Sequence, residues 1–183
     1  MTYYGGKEMA NSFRTVRKNT IQIAEDIPES KYDFKAAPDV RSVGQMLVHV
    51  AMSTDFAHHV HDNRITDMKT VNFQELLQKF STEEARPRTK NEIIALLREK
   101  GDTFAAMLEG MSDAVLAETV TMNPGAEPPT KSRFDLLLGS KEHEMHHRAQ
   151  LMLVERMLGI VPHITRQMQE RMARLQAAAQ PAR

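Results

Sequence analysis

Residues 143–147 read HEMHH. This matches H-E-x-x-H, the pattern in which two histidines hold zinc and the glutamate activates water. Side chains four residues apart are neighbours on a helix face, with Cβ atoms about 5–6 Å apart. Imidazole nitrogens bind zinc at about 2.0–2.1 Å, so His143 and His147 can share one ion. A buried imidazole pair without polar partners is costly, and an ion at their meeting point removes that cost. His49 offers a third ring, flanked by Val48 and Val50 in an apolar phrase. Three histidines and one open position form the donor set of a catalytic rather than a structural zinc. Any one of these histidines alone is better read as a hydrogen-bonded core residue; the group of three favours a metal.

The other histidines are weaker candidates. His146 lies about 60° round the helix from His143, on a stripe with Gly139, Glu142 and Ala149. His58, His59 and His61 cluster at a helix end and read as a solvated group. His163, beside Pro162, reads as exposed. Glu144 is about 100° off the ligand stripe and is a poor proton acceptor if it faces solvent. The three-residue motif also matches by chance. Zinc proteases of this pattern hold peptide on a sheet edge, and the chain shows no segments to build one. The candidate third ligands Glu155, His163 and Glu170 sit in no supporting motif. The protease reading is therefore disfavoured.

The elements that must carry these residues are helical, because apolar residues recur at helical spacing and strand-like alternation is rare. A first helix is expected over about residues 7–27, with Phe13, Val16, Thr20, Ile23 or Ala24, and Ile27 inward and Pro28 as its stop. Ser42 and Gln45 have capping-box spacing and open a second helix, with Met46, His49, Ser53, Phe56 and Val60 on one stripe. A long connection over about residues 63–88 contains the short amphipathic piece NFQELLQKF. Thr89 and Glu92 cap a third helix with Ile93, Leu97, Phe104 and Leu108 inward. Residues 119–131 read as a loop rich in turn formers. Ser132 and Asp135 cap a fourth helix, on which Leu136, Ser140, His143, His147, Gln150, Val154 and Leu158 form the traced stripe. Gly159 is its αL stop. A last helix puts Ile164, Met168, Met172 and Leu175 on one side, and the tail QAAAQPAR is expected to fray. Four main helices with one long connection between the second and third predict an all-α four-helix bundle. The expected division is 1–162 for the bundle and 163–183 for a helical extension and tail.

Bulk composition narrows the function. At 183 residues the chain is long enough to bury a core as one domain. It has no cysteine, which excludes disulfides, thiolate metal sites and a cysteine nucleophile. Lys plus Arg and Asp plus Glu both number 24, and no basic face is evident, so no nucleic-acid partner is expected. The first residues lack a signal-peptide pattern and no stretch could span a bilayer. The expectation is a soluble cytoplasmic protein with no membrane partner.

The pieces IPESKYDFKAAPDVRSVGQMLVHVA and SRFDLLLGSKEHEMHHRAQLMLVERMLGI resemble the DinB family of DNA-damage-inducible, YfiT-like metalloenzymes, over roughly residues 8–162. The most specific marks are Gly44 to His49 and the run from His143 to Gln150. Ala149 stands where many members have glycine, and the helix after Pro162 is longer than usual. The resemblance implies an up-down-down-up four-helix bundle and a divalent metal held at His49, His143 and His147, the triad already selected from the stripes. It also implies a homodimer acting on a small-molecule substrate. Zinc or nickel leads among the metals, with iron or manganese as alternatives. Relatives suggest a transferase or isomerase using a low-molecular-weight thiol. A metal-dependent hydrolase and a non-enzymatic metal-binding stress-response protein are the alternatives.

Overall fold

Side-chain caps set where the long helices begin. Ser42 accepts a hydrogen bond from the Gln45 backbone N–H while the Gln45 side chain accepts from the Ser42 N–H. Thr89 with Glu92 and Ser132 with Asp135 do the same. Each box satisfies backbone donors that a helix start leaves unpaired. The computed structural model describes residues 4–179. Its helices are α1 (Gly6–Asp26), α2 (Val43–Asp62), α3 (Phe73–Ala85), α4 (Lys90–Glu109), the single turn α5 (Asp113–Leu116), α6 (Arg133–Met157) and α7 (His163–Ala179). The predicted third and fourth helices are α4 and α6.

Helices α1, α4, α2 and α6 surround one core, in that order round the bundle. The topology is up-down-down-up. Because α2 and α4 run the same way, the chain between them must travel the length of the bundle, and α3 forms on that crossover against α2. One core cluster joins Ile23, Leu47, Val50, Leu97 and Leu151. A second joins Phe13, Phe104, Leu108 and Leu137, with the Phe13 and Phe104 rings edge to face at 4.7 Å. Among the described residues no helix is long and apolar enough to cross a membrane.

The structure corrects several local expectations. On α2 the buried stripe is Leu47, Val50, Ala51 and Thr54; of the expected stripe Val60 is buried, while Met46, His49, Ser53 and Phe56 are half-buried. On α6 it is Leu137, Glu144, Leu151 and Glu155, while Leu136, Ser140 and His143 are half-buried and Gln150 is exposed. The traced stripes are thus the walls of a cleft, one step round from the true core. Apolar residues occupy both stripes, so periodicity alone does not separate them. Residues 119–131 are not all loop: β1 (Thr119–Thr121) and β2 (Thr130–Ser132) form a short antiparallel hairpin pairing Thr119 with Ser132.

His61 is buried rather than solvated, its Nδ1 3.3 Å from Arg133 Nη1. Burial first, and then the Arg133 charge, hold its pKa down to about 4. His58 and His59 are half-buried. His163 is also buried, at the start of α7, with Nε2 3.2 Å from Asn19 Oδ1. Gly159 has φ +78°, the αL stop expected of it. Helix α7 continues to Ala179, through the first half of the predicted tail, and residues 180–183 lie outside the described residues. Met168, Met172 and Leu175 on α7 are exposed.

Candidate metal centre

His49 sits near the middle of α2, and His143 and His147 lie one turn apart on the facing stretch of α6. The structure brings together all three predicted residues. His143 Nε2 is 3.2 Å from His49 Nε2 and 3.1 Å from His147 Nε2. Their ligand atoms all lie within 4.8 Å of one another, and no other group of three His, Asp or Glu among the described residues does so. Nitrogens sharing a tetrahedral ion at 2.0–2.1 Å are about 3.3 Å apart, so the two measured separations suit one ion. His147 is buried, and His49 and His143 are half-buried.

Two acceptors behind the rings decide which nitrogen faces inward. His49 Nδ1 is 2.7 Å from Glu84 Oε1, and a carboxylate there can only accept. Glu84 in turn receives Arg41, with Nε 2.6 Å from Oε2 and Nη2 3.3 Å from Oε1. His147 Nδ1 is 2.8 Å from Gln150 Oε1, and Gln150 Nε2 is 3.1 Å from His146 Nε2. With Nδ1 donating outward, the neutral rings of His49 and His147 turn Nε2 lone pairs toward His143. Outward hydrogen bonds of this kind orient metal-binding histidines and raise their basicity. His143 Nδ1 is buried with no partner among the described residues.

The electrostatics keep the rings neutral. Burial lowers the His143 pKa to about 4, reinforced by His147 and His49. Burial also lowers His147, against the Gln150 hydrogen bond. For His49, burial outweighs the opposing hydrogen bond to Glu84 and lowers the pKa. Burial alone would raise Glu84, yet hydrogen bonds from Arg41 and His49 overcome it and leave the carboxyl below its ordinary value. Neutral imidazole is the form that ligates metal.

Glu144 does not face solvent and is not available as a base. It is buried on the core-facing stripe of α6, one step round from the cleft, where Arg17 grips it with Nε 2.9 Å from Oε1 and Nη2 2.9 Å from Oε2. The Thr20 hydroxyl donates to Oε1 at 2.7 Å. Arg17 also donates to the backbone carbonyls of Leu97 and Val50. The H-E-x-x-H glutamate therefore ties α6 to α1, α4 and the residue after His49. Of the third-ligand candidates, Glu155 and His163 are buried outside the triad and Glu170 is exposed on α7. His146 is exposed and touches the triad only through Gln150 and ring contact with His147. Sequence reasoning missed Glu84 and Arg41. Neither has a spacing signature, because each reaches the site through the packing of α3 and the segment before α2.

Three cavities open on the triad. One of about 770 Å³ reaches His147 and is lined by Arg41, Gln45, Glu84 and Gln150 together with apolar side chains. A second, about 610 Å³, has His49, Arg41, Glu84 and Phe80 in its lining. The third, about 390 Å³, reaches His49 and His143.

A family model described as the DinB superfamily matches residues 12–151. Among solved structures, YfiT from Bacillus subtilis, described as "a probable metal-dependent hydrolase with an unusual four-helix bundle topology", superposes with a TM-score of 0.67 at 16% identity, covering 87% of this chain and 91% of that one. A DinB-like protein from Bacillus subtilis superposes with a TM-score of 0.61 at 20% identity, covering 83% and 92%. A mycothiol-dependent maleylpyruvate isomerase superposes with a TM-score of 0.61 at 11% identity, covering 82% of this chain and 63% of that one. At such identities the likeness carries the fold. No curated protein sequence matches.

Proposed function

The chain belongs to the DinB superfamily, and from that premise we propose that His49, His143 and His147 hold one divalent metal ion in an enzyme for a small-molecule substrate, acting by thiol-dependent transfer or isomerisation. The observation that supports it is the pair of outward hydrogen bonds, His49 to Glu84 and His147 to Gln150, which turns two Nε2 lone pairs onto a third imidazole. Three imidazoles suit zinc or nickel, and also accept iron or manganese. Such an ion supplies a full positive charge that favours the anionic form of a thiol or of water.

The chain's own residues shape the rest. No cysteine is present, so the nucleophilic sulfur must come from an external low-molecular-weight thiol. Its sulfur bonds to the electrophilic carbon while the leaving group departs with its electron pair. Arg41, on the wall of the larger cavity, offers a cation to an anionic thiol or substrate. Metal-dependent hydrolysis is the second reading, favoured by the description of YfiT. Residues 1–162 are the unit that carries the site in this reading, and 163–183 an accessory extension. The apolar stripe of α7, with Met168, Met172 and Leu175 exposed, supports a homodimer, which sedimentation at micromolar concentration checks.

Metal analysis of single variants tests the triad. His49→Ala, His143→Ala and His147→Ala are each expected to lose bound metal, whereas His146→Ala retains it. Equal loss from His146→Ala would place the ligands on the neighbouring face of α6. On a cobalt-substituted sample, 2-mercaptoethanol is expected to produce an intense near-ultraviolet charge-transfer band. Absence of that band, with no metal-dependent transfer to any electrophile, would end the transferase reading. Metal-dependent ester hydrolysis would then select the hydrolase, and its absence the non-enzymatic metal-binding role.

A further inference from the structure

Gly139 lies within α6, one helical turn before His143. Nothing in its backbone requires glycine, since the positive-φ glycines among the described residues are Gly125 and Gly159. Nothing in its packing requires it either. A Cβ on Gly139 would meet no heavy atom within 4 Å, whereas on Gly6 it would meet the Leu108 carbonyl oxygen at 2.3 Å and on Gly101 the Arg17 Cγ at 2.7 Å. Glycine inside a helix weakens it relative to alanine through backbone entropy. A residue that weakens α6 and fills no structural need leaves open space, and that space is the wall of the 390 Å³ cavity.

The cavity's chemistry is one-sided. Phe56 on α2, Phe73, Leu76 and Phe80 on α3, and Leu136 on α6 line it. The Phe56 and Phe73 rings lie 5.7 Å apart and inclined at 35°. Its polar edge is His49, His143 and the hydroxyls of Ser53 and Ser140, with no charged side chain. The 770 Å³ cavity beside His147 is different, because Asp39, Arg41 and Glu84 bring charge to it. His143 therefore faces the uncharged, aromatic-walled lobe, whereas His147 and the Glu84 side of His49 border cavities that carry charge. At about 300–1,000 Å³ a pocket holds a small organic molecule or a substantial part of one.

We propose that the smaller lobe binds an uncharged apolar group, an aryl ring or short branched alkyl chain, on the molecule that reacts at the triad, and that Gly139 keeps the lobe open. The orientation toward the triad rests on the proposed metal centre; the pocket itself does not. Each methylene transferred from water into such a lobe strengthens binding roughly fourfold, so discrimination favours apolar substituents.

The test uses 4-fluorobenzyl alcohol followed by fluorine NMR, on the full chain both metal-free and zinc-loaded. Saturable millimolar binding to the unmodified protein is expected in both forms. Gly139→Leu should weaken it at least tenfold while the helix melts at the same or a higher temperature, and Gly139→Ala should weaken it less. Ser53→Phe, filling the lobe from the facing wall on α2, is the second obstruction. Absence of binding to the unmodified protein would overturn the proposal. So would unchanged affinity in both filling variants with native circular dichroism. Zinc content, measured separately by metal analysis, reports on the triad: a protein that binds no zinc but loses the probe on Gly139→Leu keeps the lobe and loses the metal centre.

Discussion

His143 and Glu144 are neighbours in sequence, yet their side chains enter two clusters with opposite hydrogen-bond accounting. Around Glu144 both carboxylate oxygens are occupied, and Arg17 donates to two backbone carbonyls besides. The charge pair is closed on itself and excludes any further ligand. Around His143 the reverse holds. Three Nε2 atoms crowd together while Nδ1 has no partner among the described residues. Buried polar groups are ordinarily satisfied, and an unsatisfied cluster asks for an explanation such as an ion. A closed cluster fixes helices; an open one is shaped for something that completes it.

The largest expected effect breaks the closed cluster. Glu144→Ala leaves the Arg17 guanidinium buried without its carboxylate, which costs about 3–5 kcal/mol. Denaturant unfolding should report that loss. His143→Ala in the metal-free protein is expected to cost less than about 1 kcal/mol, because the imidazole it removes carries a buried Nδ1 with no partner among the described residues. If the two costs proved equal, the contrast between the clusters would collapse. Replacing the pair by apolar residues, Arg17→Met with Glu144→Leu, should restore most of the stability.

A third buried group sharpens the contrast through pH. Glu155 is buried and neither carboxylate oxygen has a hydrogen-bond partner among the described residues. Burial first, then the Asp26 charge, push its pKa up to about 7 from 4.5. The folded state thus holds this proton more tightly than the unfolded state. Its favourable contribution is full below the ordinary value of 4.5 and is lost as pH rises through about 7. Glu155→Gln removes the titration while keeping the shape. The variant should match the parent near pH 4.5 and exceed it at pH 8.5 by at most about 3 kcal/mol. A stability difference independent of pH would show that Glu155 does not titrate in this range.

The unequal legibility of these clusters in the sequence has a physical cause. Helix starts were readable because a capping box is local: Ser42 with Gln45, Thr89 with Glu92 and Ser132 with Asp135 all form as their spacing requires. The convergence of His143 and His147 was readable for the same reason, since one helical turn fixes it. His49 needed only the bundle, which sets inward residues of different helices face to face. The orientation of Glu144 was missed because a carboxylate on a core stripe contradicts hydrophobic periodicity unless its partner is known, and Arg17 is 127 residues away. A helix end for His61 and a neighbouring Pro162 for His163 point to exposure, yet Arg133 and Asn19 receive these rings from distant helices. Glu83 and Glu84 are alike in sequence, but Glu83 pairs with Arg88 in its own segment while Glu84 crosses to His49. Only the rotation of α3 on α2 distinguishes them.

That crossing yields the smallest and most discriminating prediction. Glu84 has two separable roles toward His49: its oxygen accepts from Nδ1 and so fixes the tautomer, and its charge offsets Arg41. Glu84→Ala removes both and is expected to weaken metal binding about 10–100-fold, the usual effect of losing a partner behind a ligating histidine. Glu84→Gln keeps an oxygen that can accept from Nδ1 and removes only the charge, so most of the affinity should survive. Competition against a zinc chelator reads the affinities, and circular dichroism checks that α3 persists. Equal weakening by both substitutions would assign the effect to charge. No weakening by either would leave Glu84 as a clasp holding α3 on α2 and remove one of the two acceptors from which the inward-facing lone pairs were inferred.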